Sequence, residues 1–177
     1  MAADDVNAVA SPGWRYYLQE KVLVIFFLGF SAGLPFLLVY STLSAWLKDA
    51  GLQMSTISTF AWLGFAYSLK FAWAPFVDGL PIPFLTRLLG RRRSWLLLAQ
   101  AAIGLALLVL ATMDPAHAIG VFAIVALIVA FSSATQDIVI DAYRIECAED
   151  QLQGVLAAAY QYGYRMAMLI AGAGALY

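Results

Sequence analysis

The sequence predicts an all-α membrane protein of about five transmembrane helices. Three observations carry this. Apolar residues make up 63% of the chain and charged residues only 12%, where soluble domains carry about 25% charged. Long uncharged runs recur at lengths near the roughly 20 residues that cross the hydrocarbon core. Lysines and arginines gather in some of the connections between these runs and avoid others. A backbone in lipid must satisfy its own hydrogen bonds, so such runs are read as helices.

Residues 1–21 form an N-terminal segment, read as cytoplasmic. It carries Asp4 and Asp5, lacks the basic start of a signal peptide, and precedes an apolar run too long to be a signal's core. The first helix is expected over 22–47, uncharged between Lys21 and Lys48 and interrupted by Gly29, Gly33 and Pro35. A membrane helix tolerates such interruptions, and a bend or break is expected near Pro35. The second, 55–77, holds Lys70 and ends against Asp78. The connection that follows is punctuated by Gly79, Pro81 and Pro83, and then by Arg87, Gly90, Arg91, Arg92 and Arg93. A third helix is expected over 94–113. Asp114-Pro115 favours a turn, and the connection is so short that the third helix forms a hairpin with the fourth, 118–141. A loop at about 144–153 leads to the fifth, 154–177.

Cation placement orients the chain. With the N-terminus inside, the inner segments hold Arg15, Lys21, Arg87, Arg91, Arg92, Arg93 and Arg144, and the outer loops only Lys48. An odd number of spans then places Tyr177 at the outer face with no polar tail, which reads as a piece of a longer chain rather than a complete five-helix protein.

The net charge of −1, the single Cys147 and the single His117 offer no nucleic-acid surface, no disulfide framework and no metal cluster. No phosphate loop, metal-ligand set or nucleophile–base arrangement is present. Neither an enzyme nor a cofactor is expected.

The residues that could carry chemistry are those lipid would reject. Lys70 lies within the second span, where a charge costs about 2.5–3.5 kcal/mol on insertion scales; it either snorkels along its stem or faces a partner or substrate within the bundle. Ser133, Asp137 and Asp141 recur every four residues, with Gln136 and Arg144 close to that row, so they share a face of the fourth helix that cannot look at lipid. Asp137 is the deeper carboxylate, and with Lys70 or Arg165 near it could stay charged or carry a proton. A structural ion pair is the other reading. Asp141, three residues before Arg144, reads as a gate ion pair. Arg165, mid-way along the fifth span and always charged, is the anion-binding candidate, a structural pairing with Asp137 or Asp141 being the alternative. Tyr40, Tyr160 and Tyr162 are candidate pocket aromatics, whereas Trp46 and Trp95 suit the interfacial belts. Ala159, Gly163, Ala167 and Ala171 form a small-residue stripe for close helix packing, and Gly29 with Gly33 gives the first span a comparable face.

Phe71-Ala-Trp-Ala-Pro-Phe-Val-Asp78, followed by Pro83-Phe84 and Gly90-Arg-Arg-Arg-Ser-Trp95, resembles a stretched form of the loop signature G-x-x-x-D-R-x-G-R-R of the major facilitator superfamily. Pro75 replaces the neighbourhood of the first Gly, and an insertion separates the two halves, a departure that resembles the AmpG-like permeases. Ser31-Ala-Gly-Leu-Pro-Phe36, Ser133-Ala-Thr-Gln-Asp137-Ile-Val-Ile-Asp141-Ala-Tyr-Arg144 and Tyr162-Gly-Tyr-Arg165-Met166 are similar to helices one, four and five of that group. The resemblance covers about 22–177, the Thr-Gln-Asp-Ile-x-x-Asp-Ala run being its most specific part. It implies five of the six helices of the N-terminal half of a transporter with twelve or more, in a bacterial inner membrane. The implied activity is proton-driven import of anhydro-muropeptides (N-acetylglucosamine on anhydro-N-acetylmuramic acid, with or without peptide) for peptidoglycan recycling.

Under that resemblance Asp137, Arg165, Lys70, Gln136, Ser133, Tyr162 and Tyr40 would bind substrate or couple the proton. Asp78, Arg91, Arg92, Asp141 and Arg144 would form a cytoplasmic ion-pair latch. The partners implied are the muropeptide, protons, the bilayer and the remaining C-terminal half, without nucleic acid. Acetyl-CoA transporters share the helical pattern, so another organic anion is the alternative substrate. A non-transporting scaffold would gain little from several ionisable groups inside the membrane.

Overall fold

The computed structural model describes residues 18–147 and 150–174. The N-terminal stretch as far as residue 17, with Arg15, and Tyr177 at the other end lie outside the described residues.

Every secondary-structure element among the described residues is helical. Helix α1, Glu20–Leu37, runs through a π-helical turn, Leu38–Thr42, into α2, Leu43–Asp49. Pro35 lies inside α1, and its ring removes one backbone donor and crowds the preceding turn. The helix absorbs this by widening for one turn just beyond the proline rather than by breaking.

The second apolar run, read from sequence as one helix over 55–77, is a series of short pieces: α3 (Met54–Thr59), α4 (Gly64–Ser68) and α5 (Ala74–Gly79), joined by 3₁₀ turns at Phe60–Leu63 and Lys70–Ala72. Pro75 sits in the first turn of α5, where its missing N–H is no loss, and so helps to start that piece afresh. The polar connection folds its centre into a short helix, α6 (Leu85–Leu89), entered at Phe84 with a φ of 64°. Gly90, at a φ of 80°, turns the chain into α7 (Arg91–Thr112), where its carbonyl accepts from Ser94 Oγ at 2.7 Å. Helices α7 and α8 (Ile119–Glu146) pack as a hairpin across the turn 113–118, and α9 (Asp150–Gly174) returns along α1.

Among the described residues, three helical stretches are long and apolar enough to cross a membrane: Glu20–Asp49, Arg91–Thr112 and Ile119–Glu146. At 1.5 Å per residue even the shortest reaches about 33 Å, the thickness of the hydrocarbon core. Phe27, Trp62, Phe71, Leu105, Leu108 and Leu169 point outward, as a lipid-facing surface requires.

Two packings position the interior. Leu43, Leu47, Phe60, Leu63, Ile103, Phe122 and Val129 form the largest apolar cluster, between the α1–α2 rod, the broken second run, α7 and α8. The α1–α9 seam rests on small residues: Gly29 and Gly33 on one side, Ala159, Gly163, Ala167 and Ala171 on the other, all buried. A Cβ at Gly29 would overlap the Tyr160 carbonyl, and one at Gly163 the Phe26 carbonyl. The two backbones therefore touch, which supplies the dispersion contacts that drive helix association in lipid.

Candidate functional site

Residues 132–140 of α8 are all buried. A buried run of two and a half turns means the helix is enclosed on every side there, not on one stripe. That enclosed stretch includes Ser132, Ser133, Thr135, Gln136 and Asp137.

Several of these polar groups tie α8 to its neighbours. Thr135 Oγ1 donates to the Phe131 carbonyl at 2.8 Å and accepts from Trp73 Nε1 at 3.2 Å, while the Trp73 and Phe131 rings stack at 4.4 Å. Gln136 Nε2 donates to Ser31 Oγ at 2.8 Å, Gln100 Nε2 reaches the same oxygen at 3.4 Å, and Ser31 donates onward to the Leu28 carbonyl at 3.0 Å. Ser31 thus joins α1, α7 and α8. Ser31 and Gln100 also line a groove of about 660 Å³ between α1 and α7.

Asp137 is 8% exposed, and among the described residues its Oδ1 has no hydrogen-bond partner. Ser133 Oγ and the Tyr67 hydroxyl are buried and unpartnered in the same sense. Lys70, Asp141, Tyr67, Tyr160 and Tyr164 lie within electrostatic reach of the Asp137 carboxyl. Lys70 is committed elsewhere, its Nζ standing 3.5 Å from Asp141 Oδ2, with Arg144 Nη2 3.9 Å from the other oxygen of Asp141. An aromatic wall adjoins this group: the Tyr67 ring centroid is 5.3 Å from Phe36 and 5.8 Å from Tyr40, and Phe36 is 5.9 Å from Tyr164. Such tilted and edge contacts favour a rigid wall.

Arg165 and Tyr162 stand apart from this group. Both are exposed, Tyr162 at 69%. Arg165 is two positions from Gly163 and from Ala167, so when that stripe packs on α1 it points to the opposite side of α9. Among the described residues it forms no ion pair, with Asp137, with Asp141 or otherwise.

A second charged group lies at the helix ends. Arg92 pairs with Asp78, and its Nη2 and Nε reach Glu146 Oε1 and Oε2 at 2.6 and 3.3 Å. One guanidinium therefore ties the end of α5 to the start of α7 and the end of α8, with the fork geometry that suits a carboxylate. Arg91 is exposed and forms no ion pair among the described residues. The sequence reading missed Ser31, Gln100 and Glu146 as site residues. A serine and a glutamine inside apolar spans were a usable signal, whereas Glu146, in a polar loop, carried none.

In the turn between α7 and α8, the Asp114 carboxyl accepts the Ala116 backbone N–H at 2.9 Å and faces His117 Nδ1 at 2.7 Å. These contacts, the backbone one first, hold it below the usual carboxylate range. No group of three or more His, Cys, Asp or Glu side chains that could hold a metal occurs among the described residues.

Membrane-length helices around an enclosed polar stretch define a polytopic membrane protein whose interior is built for more than packing. Comparison with known proteins agrees. The model of the acetyl-coenzyme A transporter 1 family matches residues 20–119. The putative transporter AmpG 4 of Rickettsia conorii is 40% identical over 163 residues, covering 92% of this chain and 39% of that protein. The anhydromuropeptide permease of Escherichia coli K12 is 36% identical over 92% of this chain and 32% of its own length. An uncharacterized protein of Haemophilus influenzae is 41% identical over 89% of this chain and 36% of its own. This chain belongs to the acetyl-coenzyme A transporter 1 family, with AmpG-type transporters among its relatives, and its match covers 32–39% of their length.

Proposed function

We propose that this chain belongs to a proton-coupled secondary transporter that imports anhydro-muropeptides across a bacterial inner membrane. The observation that carries the reading is Asp137, a carboxylate enclosed in an apolar bundle with one oxygen unmatched, because an ionisable group kept inside a membrane is retained for work. The 36% identity to a protein named an anhydromuropeptide permease supports the substrate class, and the aromatic wall of Phe36, Tyr40, Tyr67 and Tyr164 suits sugar rings.

In this reading the N-terminus is cytoplasmic, the cation-rich connections face inward, and the stretches 22–47, 55–77, 94–113, 118–141 and 154–177 each cross the bilayer. Arg165 and Tyr162, on the side of α9 turned from α1, face the substrate path between this unit and the helices of the longer transporter. Those helices rock against this unit in alternating access. Gln136 and Ser133 help to shape the site beside Asp137. Arg92, with Asp78 and Glu146, and Asp141, with Lys70 and Arg144, latch the cytoplasmic end, and Arg91 lies beside that latch.

A second substrate is favoured by one finding, the match to the acetyl-coenzyme A transporter family. The test is uptake of labelled N-acetylglucosaminyl-anhydro-N-acetylmuramic acid by cells that lack their own permease and express the full-length parent. Uptake that unlabelled muropeptide abolishes and acetyl-CoA leaves untouched supports the first substrate. The converse pattern moves the assignment to acetyl-CoA, and no uptake of either overturns both.

A further inference from the structure

Three buried oxygens in the middle of the bundle have no well-formed hydrogen bond among the described residues: the Tyr67 hydroxyl, Ser133 Oγ and Asp137 Oδ1, the approach of Tyr67 to Ser133 falling short of good geometry. Leaving such groups unmatched forfeits their hydrogen bonds to water without return. Native interiors keep few of them, and three collected in one place need a common explanation. They are neighbours: Tyr67 lies beside Ser133 and senses the Asp137 charge, and Ser133 and Asp137 are one turn apart on the same face of α8. Ser133 is fully buried and Asp137 is 8% exposed, so the place is shut off from any solute of substrate size.

The chemistry of the three groups selects what fits among them. Two hydroxyls can donate or accept, whereas an ionised carboxylate only accepts. A matching occupant must therefore donate at least one hydrogen bond, accept another, and be small. Buried water has these properties and is held where two to four polar groups converge.

We propose that Tyr67, Ser133 and Asp137 together hold a single buried water, and that Tyr67 and Ser133 are positioning residues for the carboxyl of Asp137. The Tyr67 hydroxyl donates to the water, the Ser133 hydroxyl completes its coordination, and the water donates to Asp137 Oδ1. A proton reaches Asp137 from the Ser133 side when the water passes one of its own protons to Oδ1 and takes a replacement from an incoming hydrated proton, so no charge stays on the water. The other charged and titratable groups facing Asp137 are Lys70 and Asp141, from the broken second run and α8, and Tyr160 and Tyr164 from α9. The delivery role rests on the proton-coupled reading; the water site itself rests on the three oxygens.

The test uses the full-length parent in lipid. Infrared difference spectra recorded in ordinary and ¹⁸O-labelled water between acid and alkaline pH are expected to contain a water band that moves with the isotope and is lost in both Tyr67→Phe and Ser133→Ala. In the same two variants, proton-driven uptake of labelled anhydro-muropeptide falls and its pH profile shifts. An unchanged thermal midpoint in detergent reports that the variants are folded. An isotope-sensitive band unchanged in both variants overturns the water site, as does sodium-dependent replacement of the band, which would make the occupant a cation. If the band behaves as expected but Asp137→Asn keeps protonophore-sensitive uptake, the water site stands and the delivery role falls together with the proton-coupled reading.

Discussion

The charged group at the helix ends and the polar stretch in the middle of α8 have opposite finishes. At the ends, Arg92 answers two carboxylates, Asp78 and Glu146, each about half exposed. In the middle, Lys70 is spent on Asp141 and leaves Asp137 with an open oxygen under almost complete burial. A matched network at a watery rim is cheap to form and of modest worth, because solvent screens it. An unmatched carboxylate deep in the bundle is expensive, so it is where a proton or ligand would be used. On the proposed function, the matched Arg92 group belongs to the latch and the unmatched Asp137 to the working site.

The largest effect that could break this contrast is at Asp137 itself. Asp137→Asn keeps the shape and removes the charge, and proton-driven uptake of labelled muropeptide by the full-length parent is expected to fall to background at unchanged membrane abundance. Uptake near the unmutated level would put Asp137 on the same footing as the helix-end pairs. Gly163→Leu probes the frame that holds the site. With no room between Gly163 and the Phe26 carbonyl, the added side chain forces α1 and α9 apart at a cost of about 1–3 kcal/mol, read as a lower thermal midpoint in detergent. An unchanged midpoint would mean that the seam is looser than the small-residue packing requires.

Smaller again is the helix-end latch. Arg92→Ala strands Asp78 and Glu146 together but near water, so a loss of about 1 kcal/mol is expected. Substrate exchange should survive this substitution, with uptake altered chiefly through the balance of inward- and outward-facing states. Complete loss of binding would place Arg92 in the site. The smallest effect concerns Asp114, whose carboxyl is held below its ordinary value by the Ala116 N–H and then by His117. A lowered folded value means its contribution is present above the unfolded carboxylate value and is lost as pH falls through the folded one. Asp114→Asn should therefore lower stability slightly at neutral pH, with the two proteins converging as pH falls, so that the acid limb flattens; an acid limb as steep as before would contradict this.

How far the sequence could be read depended on the range of the interaction. Helices α1, α7 and α8 are legible because apolar runs of that length have one solution in lipid, and the seam is legible because Gly29, Gly33, Ala159, Gly163, Ala167 and Ala171 repeat every four residues. The same repeat already contained the outward direction of Arg165, two positions off the stripe, although the sequence cannot tell which side of α9 meets its neighbour. The broken second run was not legible, since Phe60 to Ala72 is mostly apolar and holds no proline, and the 3₁₀ turns answer to tertiary packing around Tyr67 and Lys70 rather than to a local signal. Nor were the pairings of Gln136 with Ser31, 105 positions apart, or of Arg92 with Glu146, 54 apart. Polar residues announce that they need partners, and only the fold names them.

The central claim is that Asp137 couples solute movement to protons, and the most direct measurement is lumenal pH in liposomes that contain the full-length parent and a trapped pH-sensitive dye. Adding external anhydro-muropeptide is expected to acidify the lumen with the unmutated protein and to leave it unchanged with Asp137→Asn, while both proteins still exchange labelled for unlabelled substrate. Equal acidification by the two would contradict the claim.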